Sequence, residues 1–269
     1  MRSCRTTKPS GSKGWASATA DSVRLRVFDS PASLARAAAR DVARLLASPR
    51  AVVIGLPTGV TPIPLYAELV RLHARGHADF RRTTTFNLDE FLGLDAGDPG
   101  SYRAFMRQHL FDHVNLPPRR IHFLDGTVRS RDAIRDECER YERMITRAGG
   151  IDLQILGLGA NGHIGFNEPG NALVGLTHCT RLKPATRRAN APLFGNRLSA
   201  VPHEALSMGM ATILSARRIV LLATGSAKAG CVERMLRGPV TTRLPASFLQ
   251  LHEHAEVWLD RRAAARLER

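Results

Sequence analysis

Residues 51–62 read AVVIGLPTGVTP and carry the pattern on which the prediction of the fold rests. The first half, residues 51–56, is a continuous apolar run of strand length, as is typical of a strand buried on both faces of a parallel sheet. The second half is a turn rich in Gly and hydroxyl groups, and Thr61 followed by Pro62 predicts the start of a helix. A buried strand that leads through a short turn into a helix is the first part of a βαβ unit.

Apolar runs of strand length alternate with segments of helical period from Val23 onward. Ser30 and Pro31 predict the start of the first helix, and the helix after Thr61 is predicted to reach Ala74. The other predicted helices span 101–113, 130–147, 208–215 and 226–236. The predicted strands span 23–28, 51–56, 83–88, 121–124, 151–156, 219–223 and 255–259. This alternation predicts an α/β fold with a mostly parallel, Rossmann-like sheet and helices on both faces.

The length of 269 residues fits one large domain, and we predict a single α/β domain over residues 23–269. Residues 1–22 are rich in Ser, Thr, Arg and Lys. Such a composition suits a transit peptide and equally suits an unstructured tail. We interpret this segment as a disordered N-terminal extension.

The formal net charge of +15 raises the question of a nucleic-acid partner. Arginines are spread through almost every segment, and aromatic residues make up only 6% of the chain. The sequence therefore contains neither a dedicated basic arm nor many side chains for stacking on bases. We predict no specific nucleic-acid partner, and we assign the charge to the solvated surface, where it helps to attract an anionic substrate.

The cysteines and the apolar runs favour a cytoplasmic protein without a membrane partner. Cys4, Cys138, Cys179 and Cys231 lie far apart, without the paired spacing of a zinc or redox site. We interpret them as reduced thiols of a cytoplasmic enzyme. No apolar run approaches the roughly 20 residues of a membrane span, and the N-terminus lacks the apolar core of a secretory signal.

The loop after the strand at 51–56 is a candidate anion site, because parallel sheets bind ligands outside the carboxyl ends of their strands. Pro57, Thr58, Gly59 and Thr61 lie directly before a predicted helix. The free N–H groups and the dipole of a helix N-terminus suit a phosphate. A plain strand-to-helix turn is the alternative interpretation of this loop taken alone.

Charged side chains follow two further strands. Asp89 and Glu90 come after the strand at 83–88, and one poised carboxylate can move a proton between neighbouring carbons of a sugar. A helix cap or a surface acid is the alternative. Lys228 follows the strand at 219–223 in the first turn of a predicted helix, where a bound anion would offset the unfavourable helix dipole. A solvent-facing lysine is the alternative there.

The loop after the strand at 151–156 reads GLGANGHIGFNEP over residues 157–169. His163 can exchange protons near neutral pH, and Asn161 and Glu168 are close enough in sequence to orient it or to share its proton transfers. A dinucleotide-binding loop is the rival interpretation. We discount it because the glycines lie far into the chain and no acidic residue ends a strand about twenty residues further on.

Two histidine pairs have the i, i+4 spacing of helical metal ligands. His73 pairs with His77, and His109 pairs with His113. A zinc site needs a third and a fourth ligand, and neither pair brings an obvious glutamate. We interpret all four as surface histidines and predict no metal site.

Five stretches of the chain resemble the motifs of the glucosamine-6-phosphate deaminase/isomerase family, in the order and at the spacing of that family. They are GLPTG at 55–59, TFNLDE at 85–90, NGHIGFNEP at 161–169, TRRAN at 186–190 and LQLH at 249–252. The resemblance covers residues 23–260 and implies a fold of the sugar-phosphate isomerase type. It also implies a catalytic domain that converts glucosamine 6-phosphate and water to fructose 6-phosphate and ammonia, with no metal or organic cofactor.

The resemblance implies catalytic roles for four residues of these motifs. Asp89 would carry the proton between C2 and C1 of the opened sugar, and His163 would act in opening the ring. Asn161 and Glu168 would support that step. Some members have Asp in place of Asn161, so this residue can orient its neighbours but cannot ionise.

The resemblance also implies a phosphate site built from the loop at 57–61 and Lys228. Relatives commonly place a phosphate-binding arginine where this chain has Pro192, which has no charge and no N–H group. The arginines near enough in sequence to replace it as lid contacts are Arg187, Arg188 and Arg197.

Two rival functions share the pocket that the resemblance implies. A 6-phosphogluconolactonase has a comparable loop, but its loop lacks the Asn-Glu-Pro ending that contains Glu168. A catalytically impaired sugar-phosphate sensor would need a DNA-binding domain, and no helix-turn-helix segment is visible. The predicted partner is thus a small sugar phosphate, and the sequence leaves open whether the chain forms a homo-oligomer.

Overall fold

The structure is a computed structural model that describes residues 23–267. The predicted disordered extension over residues 1–22 lies outside the described residues, as do residues 268 and 269. The strands are β1 (Arg24–Phe28), β2 (Val52–Leu56), β3 (Thr83–Asn87), β4 (Asp89–Phe91), β5 (Ile121–His122), β6 (Leu153–Gly157), β7 (His178–Arg181), β8 (Glu204–Ser207), β9 (Ile219–Ala223) and β10 (Ala255–Asp260). The α-helices are α1 (Pro31–Leu46), α2 (Ile63–Ala74), α3 (Tyr102–His109), α4 (Arg131–Arg147), α5 (Pro184–Asn190), α6 (Met210–Leu214), α7 (Ala229–Arg237) and α8 (Arg261–Ala264).

The main sheet has seven strands in the order β1-β10-β9-β6-β2-β3-β5, and every pair is parallel. The chain runs outward from β2 to β3 and β5, returns to place β6 beside β2, and then runs outward the other way to β9 and β10. The loops after β2 and β6 therefore diverge at a topological switch point, where open α/β sheets bind their ligands. The predicted fold class is confirmed.

Helices cover both faces of this sheet. On one face, α1, α2 and α3 pack over a core that includes Ile54 and Trp258. On the other face, α4 and α7 pack over a core that includes Phe86 and Leu221. Every residue of β2 and β9 is buried, as their continuous apolar runs indicate.

Serine side chains begin three of the helices. Those of Ser30, Ser101 and Ser130 each accept a hydrogen bond from the backbone N–H group three residues later. In contrast, no side chain caps the N-terminus of α2 at Pro62. The first turn of α2 consequently keeps donors that a ligand can use.

A second sheet of three antiparallel strands, β4-β8-β7, lies outside the sequence prediction. Only Leu88 separates β3 from β4, so the two strands read as one run in the sequence. In this sheet Asp89 is paired with Ser207. The connection from β7 to β8 contains α5, which the periodicity also did not predict.

Several predicted boundaries were too wide. The strand predicted at 121–124 is only Ile121–His122, and the helix predicted at 101–113 ends at His109 before a 3-10 turn. The helix predicted at 208–215 covers only Met210–Leu214. The helix predicted from residue 226 begins at Ala229, after a 3-10 turn that contains Lys228. None of the described helices is both long and apolar enough to cross a membrane.

Candidate active site

Four strand-end loops meet at one edge of the main sheet, because all seven of its strands are parallel. The ladder places the end of β2 beside the end of β3, with Leu56 opposite Asn87. It also places the end of β6 beside β9, with Gly157 opposite Leu222. The side chains predicted from sequence therefore project from neighbouring strand ends of one sheet edge.

Asp89 is the first residue of β4 and is only 6% exposed. Within residues 23–267, no hydrogen-bond donor contacts its carboxyl group. Burial, followed by the charge of Glu90, raises the pKa of Asp89 to about 8. The phenols of Tyr66 and Tyr102 are near enough for the Asp89 charge to add to the effect of burial in raising their pKa values. Asp89 is thus a buried acid whose acceptor atoms are not occupied by any donor of the described residues.

Gly165 keeps space open beside the Asp89 carboxyl group. A Cβ atom at Gly165 would lie 3.1 Å from the Ser207 hydroxyl oxygen and 3.5 Å from Asp89 Oδ2. The backbone at Gly165 also has a φ of +56°, which side chains other than glycine rarely adopt. A glycine is therefore needed here both for the turn and for access to the carboxylate.

Glu90, the neighbouring carboxylate, is held by backbone groups. Its Oε1 accepts hydrogen bonds from the N–H groups of Phe91 and Tyr102, each at 2.9 Å, and its Oε2 accepts one from Arg103 at 3.0 Å. Burial raises its pKa to about 7, although these three bonds oppose the shift. Glu90 thus binds the first turn of α3, and the helix-cap interpretation describes Glu90 and not Asp89.

His163, Asn161 and Glu168 form a hydrogen-bonded relay. Asn161 Nδ2 donates to Glu168 Oε2 at 2.9 Å, and Asn161 Oδ1 lies 2.7 Å from His163 Nδ1. A carboxylate only accepts hydrogen bonds, so Asn161 must turn its amide nitrogen toward Glu168 and its oxygen toward His163. The proton of the neutral imidazole then lies on Nδ1, and Nε2 keeps the lone pair that can take a proton from a substrate.

The surroundings of His163 favour its neutral form. Burial lowers its pKa, the negative charge of Glu168 opposes this effect, and the positive charge of Lys228 adds to it. The imidazole also packs directly against Gly159, where a Cβ atom would lie 2.4 Å from the ring. The relay is therefore fixed both by hydrogen bonds and by close packing.

The loop at 57–61 presents unused backbone donors at the N-terminus of α2. Within the described part of the chain, the N–H groups of Thr58, Gly59, Val60 and Thr61 make no hydrogen bond. The hydroxyl group of Tyr66 donates to the Pro57 carbonyl group and holds the loop against its helix. Free donors at the positive end of a helix are suited to an anion.

Lys228 lies in the 3-10 turn that precedes α7. Burial lowers its pKa, and its charge is close enough to His163 to affect the imidazole. Among residues 23–267, no carboxylate forms an ion pair with its ammonium group. Lys228 thus supplies a partly buried positive charge beside the relay.

Comparison with known proteins identifies the family of this chain. The model of the family described as glucosamine-6-phosphate isomerases/6-phosphogluconolactonase matches residues 29–258. The chain belongs to this family. The family resemblance that the motifs predicted is confirmed.

Similar proteins of this family include two curated relatives. Glucosamine-6-phosphate deaminase 2 of Bacillus subtilis (strain 168) is 48% identical over 217 residues, which are 80% of this chain and 86% of that protein. Glucosamine-6-phosphate deaminase of Hahella chejuensis (strain KCTC 2396) is 46% identical over 246 residues, 91% of this chain and 92% of that protein.

Solved structures share the fold. A glucosamine-6-phosphate deaminase described as monomeric superimposes with a TM-score of 0.85 at 40% identity and covers 91% of this chain and 100% of its own. The 6-phosphogluconolactonase from Trypanosoma cruzi gives a TM-score of 0.72 at 22% identity and covers 91% of this chain and 97% of its own. The second likeness shows only that the two proteins share a fold.

Within residues 23–267, the three arginines predicted as lid contacts form no hydrogen bond to the strand-end loops. Arg187 donates to the carbonyl groups of Leu198 and Val201, at 2.9 Å and 2.8 Å. Arg188 and Arg197 are exposed. Within the described residues, no guanidinium group of the three forms a hydrogen bond to the relay or to the loop at 57–61.

Two side chains of α5 contact the site, and the sequence reasoning assigned no role to either. Thr186 donates its hydroxyl proton to Glu168 Oε1, and Asn190 Oδ1 accepts a hydrogen bond from the Tyr102 hydroxyl group at 2.9 Å. Both belong to the TRRAN motif, where their i, i+4 spacing places them on one face of a helix. This spacing is the feature of the sequence from which a shared role of the two side chains could have been predicted.

The predicted histidine pairs lie apart from this site. His73 Nδ1 is 2.8 Å from the Ala78 carbonyl oxygen, and His113 Nε2 is 2.9 Å from that of Gln108. Across residues 23–267, no group of three or more His, Cys, Asp and Glu side chains is arranged to hold a metal ion.

Proposed function

We propose that this chain is a glucosamine-6-phosphate deaminase, which converts glucosamine 6-phosphate and water to fructose 6-phosphate and ammonia. The observation that carries the proposal is the position of Asp89. A buried carboxyl group with no donor among residues 23–267 lies at the same sheet edge as the His163 relay and a loop suited to an anion. This combination provides a base for a carbon-bound proton, a group for ring opening and a place for a phosphate.

The first proposed step is the opening of the sugar ring. His163 Nε2 takes the proton of the anomeric hydroxyl group and returns it to the ring oxygen, so that no net proton is consumed. Asn161 keeps the other ring nitrogen protonated, and the negative charge of Glu168 stabilises the imidazolium ion that forms. In this step the Asn161 amide orients the His163 imidazole and does not itself ionise.

The second proposed step moves a proton from C2 to C1. Asp89 removes the C2 proton and delivers it to C1, and one N–H proton of the substrate's ammonium group passes to the O1 oxygen. The aldehyde thereby becomes a hydroxymethyl group, and the amine-bearing carbon becomes a protonated imine. Water then adds to the imine, and ammonia leaves as the ketone forms. The ammonium group of the bound substrate favours the charged form of Asp89, because opposite charges in a poorly solvated site attract strongly.

The phosphate in this proposal lies against the loop at 57–61 and Lys228. The loop offers backbone donors and the α2 N-terminus, and Lys228 offers a charge without an ion-pair partner among the described residues. Neither contact depends on an arginine in the lid. The absence of charge at Pro192 is therefore compatible with phosphate binding.

The decisive assay compares two substrates. The native chain should release ammonia from glucosamine 6-phosphate and should not hydrolyse 6-phosphogluconolactone. Asp89→Asn should lose turnover by a factor of about 10² to 10⁴, the usual contribution of a general base. Asp136→Asn is a matched control, because Asp136 is exposed on α4. Lactone hydrolysis without ammonia release would reject the proposal in favour of the rival hydrolase, and neither activity would favour the sensor.

We also propose a cytoplasmic location, and the homo-oligomer stays a prediction. The solved deaminase with a TM-score of 0.85 is described as monomeric. Light scattering on the purified chain measures its molar mass and decides between a monomer and an oligomer.

A further inference from the structure

One face of α5 is directed at the relay. Thr186 and Asn190 are one helical turn apart, and Thr186 is only 2% exposed. The Asn190 side chain also donates from Nδ2 to the Thr186 carbonyl oxygen at 3.0 Å, while its Oδ1 accepts from Tyr102. The Thr186 backbone is thereby tied to α3 through a side chain with two contacts.

Both oxygens of Glu168 are occupied. Oε2 accepts from Asn161 Nδ2 at 2.9 Å, and Oε1 accepts from the Thr186 hydroxyl group. Within residues 23–267, Thr186 is the sole donor to Oε1. If its hydroxyl group is removed, the carboxylate loses half of its hydrogen bonds and is free to rotate about its terminal bond.

We propose that Thr186 is a positioning residue for His163, acting through Glu168 and Asn161, and that Asn190 holds Thr186 in place. This inference rests on the proposed function for its kinetic consequence, whereas its effect on the imidazole can be measured without any turnover. It assigns a role to a side chain that is separated from the imidazole by two others.

The expected effect on the imidazole follows from the charges around it. The charged groups that act on His163 are Glu168, which raises its pKa, and Lys228, which lowers it. Glu168 Oε2 lies 3.8 Å from His163 Nδ1. Without the Thr186 hydroxyl group, less of the Glu168 charge is shared with a donor at Oε1 and more of it acts on the imidazole. The pKa of His163 should therefore rise.

The first experiment titrates the His163 imidazole by nitrogen-15 NMR, with His163→Gln used to assign its signals among the ten histidines. In Thr186→Val, which keeps the shape but lacks the hydroxyl group, the pKa should rise by roughly half a unit, the effect of losing one ordinary hydrogen bond. Thr186→Ser should restore the native value. Thr146→Val is the control, because the Thr146 hydroxyl group donates to the Glu142 carbonyl group within α4.

The second experiment measures ammonia release from glucosamine 6-phosphate. Thr186→Val should lower kcat about tenfold with KM changed less than about twofold, as for other groups that orient a reacting side chain. With an analogue that lacks the ring-closing hydroxyl group and so stays open, Thr186→Val should react nearly as fast as the native chain. Asn190→Leu should give a weaker form of the same change, and adding it to Thr186→Val should shift the His163 titration no further.

The outcomes separate this inference from the proposed function. An unchanged His163 titration in folded Thr186→Val overturns the positioning role, whatever the activity. A native chain that releases no ammonia, combined with the expected shift in the variant, rejects the deaminase proposal and leaves the positioning role intact. If Thr186→Val does not fold, Thr186→Ala removes the same hydroxyl group and must give the same shift.

Discussion

Asp89→Asn should make the protein more stable at neutral and alkaline pH while it removes turnover. Asp89 is only 6% exposed, and its carboxyl group has no donor among the described residues. Burial and the nearby Glu90 charge raise its pKa from 3.8 to about 8. Ionisation of this group therefore opposes folding, and an amide of the same shape does not ionise.

The magnitude follows from proton linkage. Between the ordinary pKa and the raised pKa, the folded chain holds a proton that the unfolded chain has released. Unfolding then releases a proton, so the free energy of unfolding falls as the pH rises through this window, by up to about 1.4 kcal/mol per pH unit. From pH 5 to pH 8 the native chain should lose about 2 to 4 kcal/mol from this group, a loss that Asp89→Asn does not suffer.

The assay is urea unfolding of both proteins at several values of pH between 5 and 8.5. A buried amide without partners costs about 1 to 3 kcal/mol, but this cost does not depend on pH. The quantity to follow is thus the difference between the variant and the native chain, which should grow in favour of the variant as the pH rises. Equal slopes for the two proteins would refute the reasoning, because they would mean that Asp89 has the same pKa in both states.

Glu90→Gln is a comparison variant for this experiment. Glu90 accepts three backbone hydrogen bonds, so an amide nitrogen in place of one oxygen would face a backbone donor. This variant should be less stable than the native chain at pH 5, where the loss of hydrogen bonds outweighs the small effect of Glu90 ionisation. Burial also raises the pKa of Glu90, to about 7, so the stability difference should again move in favour of the variant as the pH rises to about 7, but from a lower starting value than for Asp89→Asn.

Three further predictions concern the relay and the phosphate site. His163→Gln should slow turnover of the closed-ring substrate but have little effect on an analogue locked open, and equal losses on both would contradict a role in ring opening. Lys228→Met should raise KM for glucosamine 6-phosphate about ten- to a hundredfold, which is the contribution of one charge-assisted hydrogen bond. Arg188→Ala should change KM little. If Arg188→Ala raised KM more than Lys228→Met, Arg188 would be the phosphate contact. Asn161→Asp should raise the pKa of His163 by roughly one unit, because a carboxylate would replace the amide oxygen 2.7 Å from Nδ1. If NMR titration shows no such rise, the Oδ1 atom of Asn161 is not directed at His163 Nδ1.

The main sheet and its helices could be predicted from the sequence because the patterns that indicate them extend over only a few consecutive residues. Residues 51–56 and 219–223 are continuous apolar runs, and the structure buries every residue of β2 and β9. Ser30, Ser101 and Ser130 start helices through contacts only three residues long. Signals of this kind can be read without knowledge of the rest of the chain.

The small sheet could not be predicted in the same way. Its strands have three or four residues, and its pairing joins Asp89 to Ser207, which are far apart in the sequence. Strands this short have no periodicity to detect. The contact between Thr186 and Glu168 is hidden for a similar reason, because it needs β7 and β8 to place α5 over the relay.

The register of this small sheet determines which carboxylate faces the substrate. Side chains alternate between the two faces of a strand, so Asp89 and Glu90 must point in opposite directions from β4. Asp89 lies beside Gly165, whereas Glu90 lies at the start of α3 and faces a separate cavity of about 390 Å³. A shift of one residue in the pairing of β4 with β8 would exchange the two carboxylates. It would direct Glu90 toward the sugar and leave the N–H groups of Tyr102 and Arg103 at the start of α3 without their acceptor. The hydrogen bonds from Tyr102 and Arg103 to Glu90 therefore stabilise α3 and also fix Asp89 as the acid that faces the substrate.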